Sequence, residues 1–273
     1  MPVFTVRDGT RLYYKDWGAG PPIVFAHGWP LNSDMWENQM MFLASRGHRV
    51  IAHDRRGFGR SDQPWDGYDH DSFADDLAEL IDHLDLRDAT LVGYAMGGGE
   101  VTRYVGRHGS SRIARVALIG STTPKLGQSD DYPHGVPQSV FDNVRSGLLE
   151  DRSEFMRGFA RLFFGSDRLD ADVSEGRLAH VHQMALQGSL KGAHDAVTAC
   201  ANTDYRDDIA GFDVPVLLIH GEHDAFVPFN ATARQAAALF PDVRLQVYEG
   251  APHGVLFTHK DRLNRDLLEF ITV

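Results

Sequence analysis

Ala89-Thr90-Leu91-Val92-Gly93-Tyr94-Ala95-Met96-Gly97-Gly98-Gly99-Glu100 runs a short apolar strand into a glycine-flanked turn and then into a helix pattern carried by Val101, Tyr104, Val105 and His108. A strand, a sharp turn and a helix, with glycine two positions either side of a central residue, form the pattern of a nucleophile elbow. The central residue sits on a strained bend, and larger flanking side chains would collide with the bent backbone. Gly93 and Gly97 meet that need, but the central position, where the pattern calls for serine, holds Ala95. The chain therefore has the frame of a nucleophile without the hydroxyl that would attack.

Outward from the elbow, strands and helices alternate. Val3 to Val6 and Arg11 to Lys15 flank Asp8-Gly9, a hairpin signal. Ile23 to Ala26 and His48 to His53 are apolar runs of the kind buried on both faces, and later strands fall at Val116 to Ile119, Val214 to His220 and Leu245 to Tyr248. Between Asp71 and Leu86, Phe73, Leu77, Leu80, Ile81 and Leu84 recur at helical spacing, with Asp75 and Asp76 placed in the first turn. Closing helices are expected near Thr232 to Phe240 and Arg262 to Ile271. Such alternation predicts an α/β fold with a mostly parallel sheet covered on both faces.

One stretch breaks the alternation. From about Thr122 to Asp208 there is no strand pattern, only helical stripes: Val140, Phe141, Val144 and Leu148; Phe155, Phe159, Leu162 and Phe163; Leu178, Val181 and Ala185. The expected division is a core of residues 1–121 and 209–273, with residues 122–208 a helical cap inserted between two strands of one sheet.

Composition narrows the role. The 273 residues and 42% hydrophobic content supply one large core. Net charge is −11 with no lysine/arginine block, which disfavours nucleic acid and anionic membranes as partners. Cys200 is the sole cysteine, so no internal disulfide and no cysteine-based zinc site is expected. The amino terminus, Met1 to Gly9, has no signal-peptide pattern, and no run approaches the roughly 18 apolar residues of a membrane span. These features read as a soluble, unexported, bacterial-type cytoplasmic protein.

Acyl transfer needs a nucleophile, a base, an acid that orients the base, and two donors for the oxyanion. The expected chain order is nucleophile, acid, base. Asp224 follows the strand ending at His220, and His253 follows the strand ending at Tyr248, so position 95, Asp224 and His253 occur in that order, each at the end of a strand. Among 14 histidines a single one is more often an ordinary hydrogen-bonded residue, and an aspartate after a strand is often a helix cap. Joint placement relative to the elbow singles these two out, with Glu222 as an alternative acid. The oxyanion donors are expected to be the backbone N–H of Met96 and that of Trp29, because Pro30 has none. His27 is expected to support the turn rather than perform chemistry.

His27-Gly28-Trp29-Pro30-Leu31, Asp54-Arg55-Arg56-Gly57-Phe58-Gly59-Arg60-Ser61, the elbow, Gly221-Glu222-His223-Asp224 and Pro252-His253-Gly254 together resemble the α/β-hydrolase superfamily, in its cofactor-free (non-haem) haloperoxidase, arylesterase and perhydrolase branch. The similarity spans almost the whole chain and is weakest in the cap, where Gly165 to Val173 and the pocket phenylalanines follow no pattern that names a substrate. The resemblance implies an eight-stranded sheet, no metal or haem cofactor, and carboxylic ester hydrolysis. It also implies a possible peracid-forming side activity. By the same resemblance, Trp29 followed by Pro30 suits peracid-forming members, because the proline shifts the carbonyl of the oxyanion loop toward bound peroxide.

Position 95 departs from that pattern. Loss of a triad member leaves only about 10³ to 10⁴ over water. Because no other catalytic element has decayed, the expectation is an engineered serine-to-alanine form of an ester hydrolase, inactive but able to hold a small ester or carboxylic acid. Its pocket is expected to be mainly apolar, with Phe141 and Phe159 drawn from the helical stripes and Val227 and Val255 from adjacency to Asp224 and His253. Two rival readings are a cofactor-free oxygenase or lyase using a His-Asp dyad, and a catalytically dead small-molecule-binding homologue. Oligomeric state, including a homo-oligomer, is left open.

Overall fold

The computed structural model describes residues 2–165 and 173–272. Most of the patternless Gly165 to Val173 stretch therefore lies outside the described residues.

Eight strands form one sheet: β1 (Val3–Thr5), β2 (Arg11–Gly18), β3 (Pro22–Ala26), β4 (Arg49–His53), β5 (Ala89–Tyr94), β6 (Ile113–Ile119), β7 (Val216–Gly221) and β8 (Val243–Tyr248). Their order is β1-β2-β4-β3-β5-β6-β7-β8. β2 pairs antiparallel with both β1 and β4; from β4 to β8 every pairing is parallel, with Val24 opposite Ile51 and Leu91, and Leu118 opposite Leu218. β5 and β7 are buried along their whole length, as strands covered on both faces must be. The edge strand β8 keeps Arg244 and Leu245 exposed.

Two helices beside the elbow decide its setting. α2 (His70–His83) begins after Asp69, whose side chain accepts the Ser72 N–H, and α3 (Met96–His108) leaves the elbow directly. This corrects the expected helix start, since Asp75 and Asp76 lie in the second turn. They face partners rather than the helix dipole: Asp75 pairs with Arg107, and buried Asp76 holds Arg56 through two 2.6 Å contacts. α1 (Glu37–Ala44) covers the opposite face.

The insertion between β6 and β7 carries α4 (Gln138–Phe163), α5 (Glu175–Gln187), α6 (Leu190–Asn202) and α7 (Arg206–Ala210). α4 breaks at Asp151, where φ is −150° and ψ 89°, and the Asp151 carboxylate caps the next turn by accepting the Glu154 N–H at 3.0 Å. Arg152 then fastens that turn to the carbonyls of Ala185 and Gly188 at the end of α5, at 3.0 and 2.7 Å. Of the expected stripe, Phe141 and Leu148 are buried while Val140 points outward. The chain closes with single-turn α8 (Ala233–Ala236), shorter than the expected Thr232 to Phe240, then α9 (Val255–Thr258) and α10 (Lys260–Thr272). Among the described residues no helix is long and apolar enough to cross a membrane.

Candidate active site

β5 turns into α3 at Ala95, held at φ 50°, ψ −116°. A non-glycine residue there costs on the order of 1–3 kcal/mol, so the surroundings must enforce it. They do: the Ala95 N–H donates to the Ile119 carbonyl at 3.0 Å, and its carbonyl accepts the Thr122 N–H at 3.3 Å. The flanking glycines are required by contact. A Cβ on Gly93 would lie 2.5 Å from the Gly97 oxygen, and one on Gly97 would lie 2.3 Å from the Ala26 oxygen.

The loop after β7 wraps round the Asp224 carboxylate. Oδ1 accepts the N–H groups of Phe226 and Val227 at 3.0 and 2.8 Å, and Oδ2 lies 2.6 Å from His253 Nδ1. Both side chains are buried. The alternative acid is elsewhere: exposed Glu222 accepts the Gly250 N–H at 3.0 Å. A carboxylate on Nδ1 fixes the proton there and leaves Nε2 with a lone pair, able to accept a proton. Nearby His220, fully buried, donates Nε2–H to the Val227 carbonyl at 2.7 Å; burial lowers its pKa, keeping it neutral.

Elbow and imidazole share one neighbourhood. Tyr94, the residue before Ala95, places its ring 4.9 Å from that of His253. Gly120 follows the Ile119 carbonyl that holds Ala95, and a Cβ on it would stand 3.5 Å from His253 Nδ1 and 3.4 Å from Asp224 Oδ2. Gly120, at φ 51°, was not visible in the sequence as part of the site, because a glycine after a strand is an ordinary turn signal.

The Gly28-Trp29 loop closes the other side, where a Cβ on Gly28 would come within 3.2 Å of the Ala95 Cβ. Met96 opens α3, so its N–H has no partner within the helix and points from the helix's positive end. The Trp29 indole N–H donates to the Ala193 carbonyl of α6 at 2.8 Å, tying this loop to the insertion. His27 is fully buried; burial first, and the Arg55 cation second, push its pKa well below the ordinary histidine value.

Aromatic rings pack around His253. Phe163 and Phe226 lie 5.5 and 5.4 Å from its ring, and Phe159 joins Phe226 to Trp29 at 4.9 and 5.5 Å. Of the four expected pocket residues, Phe159 thus packs among these rings. Phe141, Val227 and Val255 are buried in the same apolar cluster as Ala95 and Met96. Phe163 and Phe226 are additions; the helical stripe and the adjacency to Asp224 were the available signals. A separate open cleft of about 580 Å³, lined by Trp17, Glu37, Arg177, Phe257 and Lys260 among others, includes neither Ala95, Asp224 nor His253. Among the described residues no group of three or more His, Cys, Asp or Glu side chains is placed to hold a metal ion.

Sheet order, elbow and the Asp224–His253 pair define an α/β hydrolase architecture, and residues 21–260 match the family model described as alpha/beta hydrolase fold, the family to which this chain belongs. The chain is 46% identical to a non-heme chloroperoxidase of Kitasatospora aureofaciens, with 99% of each chain covered. It is 40% identical to a bifunctional esterase/perhydrolase of Acinetobacter calcoaceticus, again over 99% of each. Among solved structures it resembles a bromoperoxidase from Bacillus anthracis (TM-score 0.94, 41% identity, 97% of this chain and 96% of that one). It also resembles an esterase from Exiguobacterium antarcticum (TM-score 0.95, 32% identity, 99% of both).

Proposed function

We propose that this chain is the nucleophile-deleted form of a carboxylic ester hydrolase, in which position 95 carries serine when active, His253 is the base and Asp224 orients it. The observation that carries this reading is the buried 2.6 Å contact between Asp224 Oδ2 and His253 Nδ1 beside an elbow residue held at φ 50°. An alanine at a backbone position that disfavours any side chain gains nothing from it, whereas a serine there projects its hydroxyl from the strand end. In the active form His253 takes the hydroxyl proton, the oxygen attacks the ester carbonyl, and the N–H groups of Trp29 and Met96 stabilise the oxyanion. The intermediate collapses, breaking the ester C–O bond as the departing alcohol takes the proton from His253; water, deprotonated by His253, then attacks the acyl-enzyme, and the serine leaves with that proton as the acid is released. By similarity to the esterase/perhydrolase relative, peroxide replaces water in a side reaction, and Pro30 is the residue that favours it.

The test is Ala95→Ser, assayed on p-nitrophenyl acetate beside the unaltered chain. A rise of at least about tenfold in turnover is expected, with a serine-directed phosphonate labelling position 95. A smaller rise would remove the assignment of the triad.

A further inference from the structure

Behind the loop that carries Trp29, three buried side chains form a connected path to the elbow helix. The Arg55 backbone N–H donates to His27 Nε2 at 3.0 Å, so the ring's proton must sit on Nδ1, which lies 3.0 Å from the Gly28 carbonyl. Gly28 O belongs to the same peptide unit as the Trp29 N–H, and in a trans peptide the two point in opposite directions. Holding that oxygen therefore aims the Trp29 N–H. The Arg55 guanidinium adds a bond from Nη2 to the His27 carbonyl at 2.8 Å and is itself gripped by Glu100 Oε2, 2.6 Å from Nε and in contact with Nη2. Glu100 lies one turn along α3 from Met96, and its other oxygen meets His53 Nε2 at 3.0 Å. His27, Arg55 and Glu100 are all wholly buried.

We infer that Glu100, Arg55 and His27 are positioning residues that lock together the two oxyanion donors, aiming the Trp29 N–H and fixing its place relative to the Met96 N–H. The inference rests on the hydrolase reading above. A buried ion pair is a poor device for stability, since apolar replacements do as well or better. Its planar fork, by contrast, fixes a carbonyl and a carboxylate in one plane. Here that plane spans the loop and the helix that supply the two N–H groups.

The experiment uses Ala95→Ser as parent and adds Arg55→Lys or Glu100→Gln, with active sites titrated by the phosphonate so that misfolded protein is not counted. Expected is a fall in kcat per titrated site of about 10- to 100-fold with KM within threefold, short of the loss on deleting a donor outright. Inhibition by phenylboronic acid, whose tetrahedral adduct places an oxygen in the oxyanion site, should weaken by the same factor. A merely structural role would lower Tm and the titrated fraction while leaving kcat per site intact; kcat within threefold in a folded variant overturns the inference. Should neither variant fold, the His27 tautomer, read by ¹⁵N NMR on the chain carrying Ala95, decides: a proton on Nδ1 supports the path and one on Nε2 overturns it. The same measurement separates the two ideas, because an inactive Ala95→Ser parent counts against the hydrolase reading alone.

Discussion

The hydroxyl of Tyr94 donates to the backbone carbonyl of His253 at 2.7 Å, so the strand that delivers the elbow also pins the loop that delivers the imidazole. Tyr94 is fully buried, and burial, reinforced by the Asp224 charge, raises its pKa well above the ordinary tyrosine value, so the donor persists at alkaline pH. Tyr94→Phe leaves the His253 carbonyl with the Val255 N–H alone, at 2.8 Å. The expected cost is about 0.5–1.5 kcal/mol in urea unfolding, with a several-fold loss of turnover in the Ala95→Ser form. Unchanged stability and turnover together would mean that this hydrogen bond holds nothing.

Asp224 and Glu222 are both carboxylates beside one strand end, yet only Asp224 reaches His253. In the Ala95→Ser form, Asp224→Asn should lower kcat by about 10³-fold or more, because the amide favours the wrong tautomer of the imidazole. Glu222→Gln should stay within about threefold of the parent. Equal losses would leave the orienting acid unassigned.

Two glycines make a matched pair for testing the elbow. A Cβ at Gly97 meets the Ala26 oxygen at 2.3 Å, whereas one at Gly158 on α4 meets nothing within 4 Å. Gly97→Ala is expected to destabilise by about 3 kcal/mol or more, since two backbones must move apart. Gly158→Ala should stabilise by about 0.5–1 kcal/mol, through the conformational freedom that glycine loses in a helix. Thermal unfolding of both variants checks the contrast; similar Tm values would contradict the tight elbow.

Asp208 on α7 is buried against α3, with Arg103 Nη1 only at 3.4 Å. Burial raises its carboxyl pKa from 3.8 to about 6; Arg103 opposes this, and Asp71, Asp207 and Asp204 add to it. With the folded value above the unfolded one, the folded state binds the proton more tightly, so the contribution favours folding at low pH and is lost as pH rises through about 6. Asp208→Asn should therefore be near neutral at pH 4 and stabilise by about 1–2 kcal/mol at pH 7.5. A Tm shift independent of pH would be inconsistent with a raised pKa.

Strand ends and the order of the three candidate residues could be read directly, because buried parallel strands are continuous apolar runs and the elbow's glycines are forced by backbone contact. What escaped depends on distances that sequence separation hides. His27 and Arg55 are 28 residues apart, and Arg55 and Glu100 are 45 apart, each unremarkable in its own segment. α6 left no helical stripe to read because its buried face is made of small residues, Ala193, Ala196, Val197 and Cys200. The aspartates of α2 sit a turn further along than the hydrophobic spacing suggests, since that spacing sets the face of a helix while its start is set by the Asp69 cap.

The break at Asp151 gives the part of α4 bearing Phe159 and Phe163 its own beginning, and Arg152 gives it its own fastening to the end of α5. The insertion is thus anchored in two pieces, and a substitution on one side of Asp151 is expected to leave the hydrogen bonds that seat the other in place.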